Sequence, residues 1–164
     1  MKLRLLVTPD CNRACPRCCN RLYDLTALPV CTELTGYDEI LLTGGEPMLY
    51  PDRIFDITDR ARAQGSAAPI YLYTAWTNAD DLIDVAHQVD GITLTLHSPK
   101  DVSSFLELNR ELLRNPLLSD CLSLRLNVFD DVPLNLSDFP LWQGKEMTWV
   151  DDCPLPANEE FKRW

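Results

Sequence analysis

Residues 38–47 read Asp-Glu-Ile-Leu-Leu-Thr-Gly-Gly-Glu-Pro. The apolar run Ile40-Leu41-Leu42 ending at Thr43 reads as a buried strand, and Gly44-Gly45 breaks it. Two glycines allow the backbone to pass close to a ligand with no side chain in the way. Glu46 then places a carboxylate beside bare backbone polar groups, a combination that suits an ammonium group, and Pro47 stiffens the turn. An ordinary strand-to-helix turn accounts for the same residues equally well.

Working outward, the same strand–helix rhythm recurs. Lys2–Thr8 reads as the first strand, stopped by Pro9-Asp10. After the strand at 38–43, Pro51–Gln64 has a helical pattern, with Ile54, Phe55, Ile57, Thr58 and Ala61 near one face and Gly65 as its stop. Pro69–Thr74 is a third strand. Asn78 caps a helix running to Val89. Gly91–His97 is a fourth strand, Asp101–Arg114 a helix closed by Asn115-Pro116, and Cys121–Phe129 a fifth strand. Met147–Val150 reads as a short sixth. Asn20–Val30 holds a short helix, 130–143 reads as a loop, and 151–164 as a tail with a disordered end. Strands alternating with helices imply parallel pairing with right-handed crossovers, an α/β fold. The 164 residues suit one domain spanning the whole chain, with a core of ordinary apolar content.

The formal charge is −10. Diffuse acidity excludes a broad nucleic-acid surface, which would be basic, but not a small nucleotide ligand. No apolar run is long enough to span a membrane, and Met1–Val7 lacks the shape of a secretory signal. The expectation is a cytoplasmic protein.

There are seven cysteines, and three stand close together in Cys11-Asn12-Arg13-Ala14-Cys15-Pro16-Arg17-Cys18. This loop follows the first strand, at the sheet edge where α/β folds place their chemistry. Three thiolates within eight residues can hold three corners of an iron–sulfur cubane and leave the fourth iron open to a small molecule. An all-thiolate zinc site completed by Cys19 or Cys31 is the other reading. Arg13, Arg17 and Arg21 surround the loop, either as solvated charges or as an anion contact. Cys19, Cys31, Cys121 and Cys153 are scattered and read as buried free thiols. Tyr71 and Tyr73 share one strand face and read as packing residues.

Taken together, C-x3-C-x2-C followed by a strand ending in G-G-E-P resembles the radical S-adenosylmethionine (SAM) superfamily. The resemblance implies a trimmed partial (β/α)6 TIM-like barrel. It implies that Cys11, Cys15 and Cys18 hold a [4Fe–4S] cluster whose fourth iron is chelated by SAM. Thr43, Gly44, Gly45, Glu46 and Pro47 would line the methionine end of SAM. Ser98 and Asn127, at the ends of the fourth and fifth strands, would add contacts to its carboxylate or ribose; a capping turn and a core asparagine are the structural alternatives. Lys100 would meet a substrate carboxylate. One departure is Arg17, where the family usually has an aromatic residue before the third cysteine.

The implied activity is reductive cleavage of SAM to a 5′-deoxyadenosyl radical, which abstracts a hydrogen atom from a substrate. An external electron donor of flavodoxin or ferredoxin type is then needed, and no protein acid or base is required for the first step. Three readings of the partner follow. Ser98-Pro99-Lys100 is similar to a stretch of the 7-carboxy-7-deazaguanine synthases, which implies a small or nucleotide-like substrate. The compact length, with Cys15-Pro16-Arg17-Cys18-Cys19-Asn20, resembles glycyl-radical activases such as that of anaerobic ribonucleotide reductase, although those usually have Asp where Glu46 stands. A zinc-stabilised binding module is the non-enzymatic alternative. Asp151-Asp152-Cys153-Pro154 is placed to approach the barrel mouth.

Overall fold

In the computed structural model, which describes residues 1–164, strands β1 (Lys2–Thr8), β2 (Glu39–Gly44), β3 (Ile70–Thr74), β4 (Gly91–Leu96), β5 (Ser123–Phe129), β6 (Gln143–Met147) and β7 (Glu159–Arg163) form one sheet. Its order is β6-β5-β4-β3-β2-β1-β7, and every pairing is parallel. Helices α1 (Pro51–Ala63), α2 (Ala79–Ala86), α3 (Val102–Arg114) and the one-turn α4 (Pro116–Ser119) occupy the connections. The α/β class and the parallel sheet are those expected from the alternation, and the arrangement is compatible with a partial TIM-like barrel. No helix is long and apolar enough to cross a membrane.

The strand period of two divides the sheet into an aliphatic face and a polar one. Leu3, Leu5, Ile40, Leu42, Ile70, Leu72, Leu94 and Leu126 are wholly buried. They share a core with Ile54, Ile57 and Ala61 of α1, Leu82 and Val85 of α2, and Phe105, Leu108 and Leu112 of α3. Each such side chain contributes about 1.5–3 kcal/mol by leaving water. The opposite face, read across the register pairs, carries Lys2 and Glu39, Tyr73 and Thr93, then Thr95 and Asn127. Because β1 to β6 add in sequence order in one direction, crossovers of one hand put the helices on one side and bend the sheet around the polar face. That curvature brings residues at or just beyond the C-terminal ends of six successive strands to the wall of a single cavity.

Four elements depart from expectation. The sheet has seven strands, and β6 lies at 143–147, starting where the stretch read as loop ends and four residues before the expected 147–150. Residues 159–163 form β7 on the far side of β1, not a disordered end. Both are edge strands. The residues of β6 are mostly exposed, so Gln-Gly-Lys-Glu-Met shows no apolar alternation. In β7 only Phe161 is buried, and the strand is held to β1 partly by charge, with Arg4 on Glu159 at 2.7 Å. The helix expected at 20–30 is only a single 3-10 turn, Cys19–Leu22. The Asp24 carboxylate accepts from the backbone N–H groups of Thr26 and Ala27, a local bond that competes with helix formation. Finally, α3 closes at Asn115 as expected, but Pro116 then opens the unforeseen one-turn α4 as its first residue, a position that tolerates its missing N–H.

The turn after β2 is packed against the segment leaving β1. Gly45 N–H donates to Thr8 O and Glu46 N–H to Asp10 O, both at 2.8 Å. A Cβ on Gly44 would lie 2.5 Å from Thr8 O, and one on Gly45 only 2.0 Å from Asp10 O. The glycines are therefore required by backbone meeting backbone, a reason distinct from the ligand approach inferred from sequence. Gly45→Ala is expected to lower the unfolding free energy by about 1–3 kcal/mol. Urea denaturation checks this, and an unchanged midpoint would show that the close approach is not maintained in solution.

Candidate functional site

The cavity at the C-terminal edge of the sheet has a volume of about 360 Å³. Cys11, Cys15 and Cys18 line it from the loop after β1, Thr43, Gly44, Gly45 and Glu46 from the turn after β2, and Tyr73 and Thr95 from β3 and β4. The two motifs, separated in sequence by a poorly structured stretch, thus meet in one space. Asn20 ties them directly, its Nδ2 donating to Gly44 O at 2.6 Å. The thiols of Cys11, Cys15 and Cys18 are free. Burial, with Cys18 and Cys11 close by, pushes the Cys15 thiol up from its ordinary value. No three His, Cys, Asp or Glu side chains converge on a point where one metal ion would bind them all.

Glu46 is 2% exposed. One of its oxygens accepts from Met48 N–H at 3.1 Å and Thr74 Oγ1 at 2.5 Å, the other from Ala75 N–H at 2.9 Å. All three donors are neutral, and no lysine or arginine forms an ion pair with this carboxylate. An ordinary turn explains the fold around Glu46, but not a buried carboxylate with no direct ion pair, whose nearby Arg13 charge is already paired with Asp101. Pro47 is buried beneath the turn and does not line the cavity.

The other residues singled out in the sequence are distributed differently. Ser98 N–H donates to the Asp101 carboxylate at 3.0 Å, and Asn127 Nδ2 to Thr95 Oγ1 at 3.4 Å. Neither lines the cavity; in the second pair it is Thr95 that does. Lys100 is exposed. Arg13 is committed to the fold: its guanidinium takes both Asp101 oxygens at 3.0 and 2.8 Å and donates to Ala75 O at 2.6 Å. Arg17 pairs with Asp151 at 3.0 Å. Cys31 is buried and free as expected, whereas Cys121 is exposed and Cys19 is disulfide-bonded to Cys153. That bond joins residues 134 apart, which only the return of the chain from β6 across the cavity mouth brings together. Asp151-Asp152-Cys153 does reach that mouth, with Cys153 in the cavity wall.

Sequence reasoning missed two features. The first is an aromatic wall. Phe129 and Trp149 stack with centroids 4.0 Å apart, and His97 lies beside both, at 5.2 and 5.6 Å. Burial, reinforced by the charge of Arg13, depresses the His97 pKa below its ordinary value. Its Nδ1 is buried without a partner. The second is Asp101, which gathers Arg13 and the N–H groups of His97 and Ser98. The signal was present: Ser98-Pro99-Lys100-Asp101 has a carboxylate three residues after a serine, the pattern of a helix-start capping box.

Burial works against the Asp101 charge, but Arg13 and the two N–H donors outweigh it and hold the carboxyl below its ordinary value of 3.8. The folded state therefore takes up this proton less readily than the unfolded one. The resulting stabilisation is complete above about pH 4 and is lost as the pH falls through the lower folded value. Asp101→Asn is expected to cost about 1.5–3 kcal/mol at neutral pH, with the gap to the parent narrowing below about pH 4. Unfolding midpoints measured from pH 3 to pH 7 (roughly the window of carboxylate titration) check it; a gap independent of pH would dismiss the ion pair as the cause.

Scans for similarity gave no family model that matches the chain and no curated protein that matches it.

Proposed function

We propose that the cavity is the active site of a radical SAM enzyme. The observation that carries this reading is Glu46: a buried carboxylate held by neutral donors alone, in the wall of a cavity into which three free cysteines also open. A desolvated carboxylate is costly unless a cation compensates it. The ammonium of an amino-acid ligand would do so, with the backbone of Gly44 and Gly45 beside it.

The donor set fits a [4Fe–4S] cluster in its chemistry. Cys11, Cys15 and Cys18 offer three soft thiols from one loop, none spent on a disulfide. As they stand they do not converge on a single point, so the loop must close further on the group it holds. A cluster held there by Cys11, Cys15 and Cys18 would supply the one-electron chemistry that reductive SAM cleavage needs. The chain's own part is to bind and orient. Arg13 and Asn20 fasten the loop to Asp101 at the start of α3 and to the G-G-E-P turn, Glu46 meets the ligand ammonium, and the apolar wall of Phe129, Met147 and Trp149 limits access of water. A cavity of about 360 Å³ with an aromatic side supports a small-molecule substrate in preference to a protein segment.

Anaerobic loading with iron and sulfide, followed by assay of 5′-deoxyadenosine from SAM and dithionite, tests the reading. A brown protein that forms 5′-deoxyadenosine is expected, with the product abolished in Cys15→Ala. Glu46→Gln is expected to weaken SAM binding about tenfold or more, the equivalent of losing a charge-assisted hydrogen bond of ~1.5–3 kcal/mol. A colourless, zinc-loaded protein with no SAM cleavage would return the cysteines to a structural role.

A further inference from the structure

The segment 148–158 connects β6 at one edge of the sheet to β7 at the other and contributes Thr148, Trp149, Val150 and Cys153 to the cavity wall. It contains no helix or strand, and most of its residues are exposed. Its backbone N–H groups make no backbone hydrogen bond, and of its carbonyls only Pro156 O and Asn158 O, at the β7 end, accept one. Over the cavity it is held by side chains. Trp149 stacks on Phe129, Arg17 pairs with the exposed Asp151, and Tyr23 Oη donates to Cys153 O at 2.6 Å. An exposed ion pair of this kind contributes little. The one strong fastening is covalent: the bond from Cys153 to Cys19, which lies on the cysteine loop and is exposed to solvent. The two lips of the cavity are thus joined by a disulfide that a reductant can reach.

We propose that Cys19–Cys153 is a reversible redox site, addressed by a dithiol reductant, whose state decides whether this strap is fastened over the cavity. One thiolate of the dithiol attacks Cys19 Sγ, the Sγ–Sγ bond breaks, and Cys153 leaves as a thiolate that takes up a proton. The second thiol of the reductant then attacks the mixed disulfide and releases Cys19 as a thiol. The reductant ends as its own disulfide, and the protein gains two electrons and two protons. Exposed disulfides are the labile kind, and reducing conditions of the sort an iron–sulfur site requires would also open this one. In treating the cavity as the working site, the proposal rests on the function proposed above. Its test does not.

The metal-free 164-residue chain, purified in air, is alkylated and mapped by mass spectrometry before and after dithiothreitol. Limited proteolysis with a protease of broad specificity is followed in both states. Five free thiols and a Cys19–Cys153 cross-linked peptide are expected before reduction, and seven thiols after it. Cleavage within 148–157 is expected to accelerate at least about tenfold on reduction, while the segments β1–β5 stay uncut. The double variant Cys19→Ser/Cys153→Ser should be cleaved like the reduced chain with or without dithiothreitol. Absence of the cross-link, a different partner for Cys19, or strap cleavage at the same rate in both states of the parent chain would each overturn the proposal, even if the variant fails to fold. Because no cluster or SAM is present, failure of SAM cleavage leaves this result untouched, and the reverse also holds.

Discussion

The site depends on two backbones lying against each other with nothing between them. Where the chain leaves β1, its carbonyls at Thr8 and Asp10 receive the N–H groups of Gly45 and Glu46, at a separation that admits no Cβ on either glycine. This contact fixes the cysteine loop relative to the turn after β2. Once it is made, Asn20 can reach Gly44, and Glu46 is driven inward onto Thr74 and Ala75 of the next strand. The buried carboxylate and the three thiols therefore share a wall because of main-chain packing, before any side chain makes a specific choice.

Around that contact the sheet separates two kinds of work. Its aliphatic face pays for folding through the core shared with α1, α2 and α3. Its other face is released from packing and can carry charges and hydroxyls. Lys2 pairs there with Glu39, Arg4 with Glu159, and the Arg125 guanidinium lies over the Tyr71 ring. Such a surface would be a poor core, but it is what a curved sheet needs on the side that faces a ligand.

The sequence was legible where one physical demand dominated each residue. The strands β1 to β5 bury their aliphatic side under helices, so their apolar runs stand out, and the glycine-broken turn locates the edge where the site lies. It was illegible where demands were mixed. The strands β6 and β7 are edges, and their polar residues satisfy solvent and ion pairs, so Glu-Glu-Phe-Lys-Arg looks like a tail until it is seen beside β1. Ser98 and Asn127 could be assigned to the correct sheet edge by strand parity, yet parity does not say which of two neighbours reaches the cavity, and in the β4–β5 pair Thr95 does. The partner of Cys19 lies 134 residues away, and no local spacing encodes such a pairing.

The position of β1 has a consequence for how the molecule folds. It comes first of the seven strands in sequence, yet it lies in the interior of the sheet, between β2 and β7, with Lys2 opposite both Glu39 and Glu159. One flank is covered by a strand that follows within a few tens of residues. The other is covered only by residues 159–163, so until these dock, β1 carries an open row of N–H and C=O groups. The β1–β7 pairing is also the most distant in sequence of the sheet, the kind whose closure entropy slows folding. A helical layer packed on β1 to β5 thus leaves the founding strand with one neighbour until the other end of the sheet's chain returns to it.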